Sequence, residues 1–445
     1  MKSEYLSILL ILLVFNGCSK DEPPPIVPPP PPPPDYRNIT LAVEDISYTE
    51  AWINVKTDSI SFPATITLLK NTNEEKFVLF NSDTTVYVDS LQPNVNYTFQ
   101  AVLTGDTIRS DTVKAKTLEP TSHNFTWETW EFGTHSSSAL YDVAIIDENN
   151  IWAVGEIYMN DSLGNPDPHA YNAAHWDGTQ WELKKIMFPT VCGSVNRTSY
   201  PAKSIFAFQD GEIWIGSSGD KIAILENGIQ TAEFCLPSAL DMGINKLWGT
   251  SSNDLYVVGN GGNIAHYSGP SGGWQKIESG TDLNIYDIWG DVNPQTGEYE
   301  ILCVASNIFF NEGNRLLKIL NNSVTEVTND GLPWSLFTLW FKPGRTYYVG
   351  GDGMYNVKRL GESWTKDLSL PTYYKSSIRG QALNDIVLCG VYGLLMHNNG
   401  VEWKNYQYTV FEFDKTFANI EIKENVVSAS GSFGSKAFIT IGVRK

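Results

Sequence analysis

The chain has 445 residues, a formal net charge of −19, and 42% hydrophobic and 12% aromatic residues. So acidic a balance excludes a nucleic-acid-binding surface, which needs concentrated Lys and Arg to neutralise phosphates. It suits an exposed surface in solvent.

Residues 1–17 begin with Lys2, continue through apolar residues from Leu6 to Phe15, and lead into Asn16-Gly17-Cys18. The apolar run is too short to span a bilayer and fits a secretory signal. Gly17 before Cys18, with apolar residues upstream, resembles the lipobox of bacterial lipoproteins, although Phe15 is an unusual choice at its position. That resemblance implies that Cys18 is the acylated mature N-terminus, and two or more acyl chains anchor stably. A plain signal peptide with an incidental Cys is the alternative. Next, Ser19-Lys20-Asp21-Glu22 resembles the export signal that moves some Gram-negative lipoproteins to the outer face of the outer membrane, against the plainer reading of a solvated charge cluster. The rest of residues 18–34 is mostly proline, which adopts polyproline II and acts as a semi-rigid tether.

Residues 35–118 are read as a separate β-domain. Ala51, Ile53 and Val55 alternate with polar neighbours as one inward-facing strand. Leu91-Gln92-Pro93-Asn94-Val95-Asn96-Tyr97 is similar to the tyrosine corner of fibronectin type III domains, which implies that Tyr97 bonds back to nearby backbone. With no Arg-Gly-Asp in this stretch, a spacer role is preferred over adhesion. Asp followed by Ser or Thr recurs at Asp58, Asp83, Asp89, Asp106 and Asp111 and resembles a bacterial O-glycosylation sequon, with ordinary turn chemistry as the alternative.

From residue 119 to 445 a phrase recurs seven times: a turn, an aliphatic or aromatic run, then Gly or another small residue. Its clearest copy is Asn253-Asp254-Leu255-Tyr256-Val257-Val258-Gly259, and the period of about 40 to 46 residues matches one four-stranded propeller blade. Its Gly and aromatic residues are expected to serve turns and inter-blade packing. Trp181, Trp274, Trp364 and Trp403 mark fourth strands. The last copy holds three strands, so the segment from Thr126 to Phe132 is expected to supply its fourth and close the ring. The predicted fold is therefore all-β: a fibronectin type III β-sandwich followed by a seven-bladed β-propeller closed by an N-terminal strand.

The repeats, with His175-Trp176-Asp177-Gly178-Thr179-Gln180-Trp181 as a degraded Asp-box, resemble BNR/Asp-box, sialidase-like propellers. In that family the box is a structural hairpin. A sialidase would need an arginine triad and an early Phe/Tyr-Arg-Ile-Pro motif, and the ring lacks the motif and is poor in Arg. His175, His266 and His397 occupy equivalent third strands of different blades, so they do not converge on a metal. No His-Glu-x-x-His, Cys-x-x-Cys or phosphate-cradling Gly motif occurs, and no cofactor or metal is expected. Cys303 and Cys389 are expected to be buried thiols, while Cys192 and Cys235, on either side of blade 2, pair in an oxidising compartment if their separation permits.

The repeat is interrupted at residues 158–171, 188–201 and 231–243, loops expected on one face of the ring. Long loops on a rigid scaffold commonly carry binding residues. Candidate ligand contacts are Tyr158, Tyr171 and Tyr200 for stacking, and Asp161, Asp167, His169 and Arg197 for hydrogen bonding. The preferred function is a non-catalytic surface lipoprotein that binds a glycan or protein. A divergent carbohydrate-active enzyme and a structural subunit of an outer-membrane complex are the alternatives.

Overall fold

A computed structural model describes residues 35–240, 242–308 and 313–445. The signal segment, Cys18 and the Pro-rich tether lie outside the described residues.

The first domain packs a three-stranded sheet (Asn38–Ile46, Ala51–Asp58, Asp83–Val88) on a four-stranded one (Asn73–Leu79, Ala64–Lys70, Asn96–Leu103, Val113–Lys116). The inward positions Ile53, Val55, Ile66, Leu68 and Phe99 are fully or almost fully buried between the sheets. At the corner before Asn96–Leu103, Tyr97 Oη accepts a hydrogen bond from Gln92 N at 2.8 Å.

The remainder is a β-propeller built from seven antiparallel four-stranded sheets. Sheet 1 runs Ala139–Asp147, Asn150–Ile157, Tyr171–Trp176 and Trp181–Lys184. Sheets 2 to 7 begin with Ala202–Ala207, Ile244–Ser251, Asn284–Val292, Leu336–Lys342, Lys375–Ala382 and Thr416–Lys423. These first strands pack against one another in cyclic order, and that of sheet 7 returns to that of sheet 1. Phe125–Phe132 pairs with Lys436–Arg444 and completes sheet 7. Second strands lie between neighbouring sheets, so both faces are buried and the run Ile151-Trp152-Ala153-Val154 is continuously apolar rather than alternating.

Two expectations change. Trp364 stands just ahead of the short fourth strand Thr365–Lys366 of sheet 5, not within it, and is buried there. The fourth strand of sheet 2, Ile229–Cys235, takes up the start of the expected 231–243 loop because Lys221–Glu226 extends far enough to pair with it. The sandwich is docked on the ring, a contact the sequence did not suggest. Arg345, between the first two strands of sheet 5, donates to Asp45 at 2.7 Å and Glu44 at 3.0 Å and lies over the Trp52 ring at 4.7 Å. Lys358 pairs with Glu50, and Gln295 Nε2 donates to Thr85 Oγ1 at 3.2 Å. All these ring residues lie on turns joining strands 1 to 2 or 3 to 4 of sheets 4 and 5, so the opposite face stays uncovered.

Candidate functional site: the mouth of the ring

Each of the seven first strands contains a β-bulge at the same place. The pairing skips Tyr141, Lys203, Asn245, Tyr286, Phe337, Ser376 and Ala418 in sheets 1 to 7. A bulge turns two consecutive side chains away from strict alternation and re-aims one of them. Here the residue after the bulge reaches sideways to the adjacent sheet. Asp142 accepts from Ile205 N (3.0 Å), Ser204 from Leu247 N (3.1 Å), Asp287 from Leu339 N (3.0 Å) and Thr338 from Ile378 N (3.1 Å). The result is a polar girdle that ties successive first strands together.

The bulges explain why a small residue closes each second strand, at the end of the repeated phrase in sheets 1, 3, 4 and 6 and one position beyond it in sheets 2, 5 and 7. Gly155, Gly259, Gly351, Gly390 and Gly431 face the bulges from the second strands. A Cβ on any of them would lie between 2.0 and 2.3 Å from the carbonyl oxygen of Ala139, Gly243, Ser335, Tyr374 or Thr416. The cause is this close approach of two backbones, not a turn. Sheets 2 and 4 place Ser217 and Ala305 there instead.

All seven bulged residues line one cavity of about 340 Å³ at the ring axis. It opens on the face of the 2-to-3 and 4-to-1 loops, away from the sandwich. Its wall is charged but largely neutralised. Asp142, 1% exposed, takes Lys246 Nζ at 2.7 Å, Ser204 Oγ at 2.8 Å and Asn419 Nδ2 at 2.7 Å. Asp287 takes Arg379 in a two-pronged pair at 2.8 and 2.9 Å. Both carboxylates thus already accept several hydrogen bonds from within the protein. Lys203 is the cation left over: it forms no ion pair among the described residues and lies 4.4 Å from the centre of the Tyr141 ring. Burial lowers its pKa, opposed by the charges of Asp142 and Glu156. Beneath the girdle, Glu421 accepts from Ile145 N at 2.8 Å, and burial raises its pKa to about 7. Its neighbours in the channel include Val143, Ile205, Trp248 and Ile288, an apolar setting that accounts for the shift without a catalytic role.

Aromatic rings extend from the mouth toward the rim. Tyr286 and Phe337 lie 4.9 Å apart, and Phe337 and Tyr374 5.7 Å.

The loop residues singled out from sequence lie beside the mouth, with their polar atoms mostly engaged locally. Tyr158 Oη donates to Glu156 at 2.8 Å, and Tyr141 from the mouth donates to the same carboxylate. Asp161 accepts from Leu163 N and Asn165 N within its own turn. Asp167 pairs with Lys185 at 2.6 Å, and that Lys also sits over the Tyr171 ring at 4.6 Å. Arg197 pairs with Glu233, and Tyr200 Oη donates to Thr190 O at 3.1 Å. His169 is exposed, and among the described residues only its backbone N–H is engaged, by Asp167. The two inserts adjoin, since Ser199 Oγ donates to Ala170 O at 2.6 Å. Cys192 and Cys235 form a disulfide with Cα atoms 5.9 Å apart that fixes the second insert to sheet 2.

The histidines of the third strands have structural partners. His175 bonds Asn150 at 3.0 Å, His266 bonds Asp254 at 2.6 Å and His397 bonds Asp385 at 2.8 Å. No metal-binding cluster occurs among the described residues. In the Asp-box-like hairpin, Asp177 accepts from Thr179 Oγ1, Gln180 N and Thr179 N, which hold its pKa at about 2. Cys303 and Cys389 are buried, and burial pushes both thiol pKa values up.

No protein-family model and no curated protein matches the chain. Among solved structures, it is similar to YCF48 bound to D1 peptide, with 18% identity, a TM-score of 0.54, and coverage of 73% of this chain and 99% of that one. It is also similar to YCF48 from Cyanidioschyzon merolae, at 13% identity and a TM-score of 0.51, covering 72% of this chain and 98% of that one. At these identities the likeness shows a shared β-propeller fold.

Proposed function

We propose that this chain is a non-catalytic binding protein whose propeller seats a polypeptide ligand in the mouth of the ring. The observation that carries the reading is the set of seven bulged side chains converging on one cavity at the uncovered face. Bulges are costly departures from pairing that recur next to functional sites. Tyr141, Tyr286 and Phe337 offer apolar contact, and Lys203 offers a charge without an ion-pair partner. That a propeller of similar fold has been solved with a peptide bound supports a polypeptide over a glycan.

The sequence supports a lipoprotein anchored at Cys18 in the outer membrane of a Gram-negative bacterium and exposed at the surface. The three-on-four sandwich with its Tyr97 corner supports the fibronectin type III reading, and the seven sheets support seven blades of the BNR/Asp-box kind. Metabolic labelling with palmitate tests the anchor: label retained in Cys18→Ser would remove it.

Binding is tested by probing peptide and glycan arrays with the 35–445 ectodomain, its Tyr286→Ala/Phe337→Ala double variant, and a variant with residues 158–171 exchanged for a short Gly-Asn turn. Peptide hits that weaken at least tenfold in the double variant and persist in the loop exchange support the mouth. Loss in the loop exchange alone moves the site to the insert. Glycan hits that are turned over establish the enzyme alternative.

A further inference from the structure

Four rings gather on the uncovered face near the rim, outside the mouth. Phe413 stacks on Tyr392 at 4.5 Å with 12° between planes and on Tyr408 at 6.0 Å with 9°, and Tyr373 meets Tyr392 edge-on at 5.3 Å. They come from three loops: the entry to sheet 6, its 2-to-3 connection and the entry to sheet 7. Burial of the platform inside the protein is incomplete, for Tyr408 is 66% exposed and Tyr392 and Phe413 are each 45% exposed. A contiguous exposed aromatic surface marks an interaction site.

Two of these rings are also held in an unfavourable backbone. Tyr392 and Tyr408 have φ of 60° and 63°, a left-handed conformation rare for bulky residues. Such strain persists where surrounding structure enforces it and concentrates at ligand clamps.

The charges around the platform select its ligand. Glu412 and Asp414 flank Phe413, are exposed, and enter no ion pair among the described residues. The nearby cations are otherwise engaged: Lys375 donates to the carbonyls of Pro371 and Tyr373, and Lys415 is buried near Glu131 and over the Phe433 ring. π-faces attract cations, and free carboxylates supply the counter-charge. A neutral sugar stacks on the rings but leaves both carboxylates uncompensated. A second copy of the chain, at −19, brings like charge to the same place.

We propose that Tyr373, Tyr392, Tyr408 and Phe413, with Glu412 and Asp414, form a second site that takes the Arg or Lys side chains of a basic polypeptide segment. This site is separate from the mouth and stands whether or not the mouth binds.

The test uses the 35–445 ectodomain and calorimetric titration with an Arg-containing decapeptide, its citrulline counterpart of equal shape and no charge, and cello- and malto-oligosaccharides. The Arg peptide is expected to bind, to weaken with added salt, and to lose about tenfold in Phe413→Ala and in Glu412→Gln/Asp414→Asn. Thermal unfolding should not change, because the substituted groups are exposed. Equal binding of the citrulline peptide, binding of the oligosaccharides in its place, no binding of any probe, or loss in Tyr286→Ala/Phe337→Ala with none in Phe413→Ala would each overturn the proposal.

Discussion

Replacing Arg345 with Ala should release the sandwich from the ring. The guanidinium is 2% exposed and sits between Glu44, 13% exposed, and Asp45, 44% exposed. The Glu44 bond is largely desolvated and contributes about 2 kcal/mol. The Asp45 bond is half in water and contributes about 1 kcal/mol. Packing over Trp52 adds about 1 kcal/mol, so the loss is about 4 kcal/mol, in the range for removing one partner of a buried pair. Other docking contacts remain, among them Lys358 with Glu50, Gln295 with Thr85 and Tyr48 against Gly400, but none of them is a two-pronged buried pair. Small-angle scattering of residues 35–445 should show a larger radius of gyration in Arg345→Ala, and limited proteolysis should cut near residues 119–124. Arg345→Lys keeps the charge but loses the fork that reaches two acids, so it should fall between. Unchanged scattering and proteolysis in Arg345→Ala would refute a docking role for this residue.

Gly259→Ala should destabilise the ring by about 3 kcal/mol through overpacking, because its Cβ would lie 2.2 Å from Gly243 O. Ala305→Gly at the matching place in sheet 4 should cost about 1 kcal/mol or less, and equal losses in urea unfolding would remove the close-approach argument. For Glu421, the folded pKa of about 7 exceeds the ordinary 4.5, so the charged form is disfavoured in the fold and stability falls as pH rises from 4.5 to 7. Glu421→Gln should therefore gain stability over the native chain at pH 8, by up to about 3 kcal/mol, and little at pH 4.5; a gain independent of pH would contradict this. Cys235→Ser opens a link between residues 43 apart and should cost about 4 kcal/mol by chain entropy. Reductant should then lower the melting temperature of the native chain and leave the variant unaffected.

The ring of sheets was legible because a fixed period survives divergence. Turn residues such as Asn253-Asp254 and an apolar second strand are demanded in every sheet by the same burial. The closing strand was legible for a related reason: Phe125–Phe132 has the Trp pattern of a fourth strand but precedes any first strand. The bulges were not legible. Tyr141, Lys203, Asn245, Tyr286, Phe337, Ser376 and Ala418 share no chemistry, since a bulge imposes a backbone shape and leaves its side chain free. Their one signal is a polar residue followed by Ile, Leu or Val, as in Asp142-Val143 or Thr338-Leu339, which is visible only once the sheets are aligned. The docking contact was hidden too, because Arg345 reads as an ordinary turn residue and its partners lie some 300 positions earlier. The long inserts drew attention by length, yet most of their polar side chains hold the inserts in place.

The pairing of Phe125–Phe132 with Lys436–Arg444 imposes an order on synthesis. Thr129 Oγ1 bonds Thr440 Oγ1 across 311 positions of sequence, so the earliest strand of the ring has no partner until the last one has been made. Trp127 packs on Tyr406 and Phe411, which are also made late, so it stays uncovered for most of synthesis. Contacts this distant slow folding and leave apolar edges exposed to aggregation. A nascent chain would thus carry that one segment unpaired until residues 436–444 have emerged, and removing Lys436–Arg444 would leave the ring unclosed.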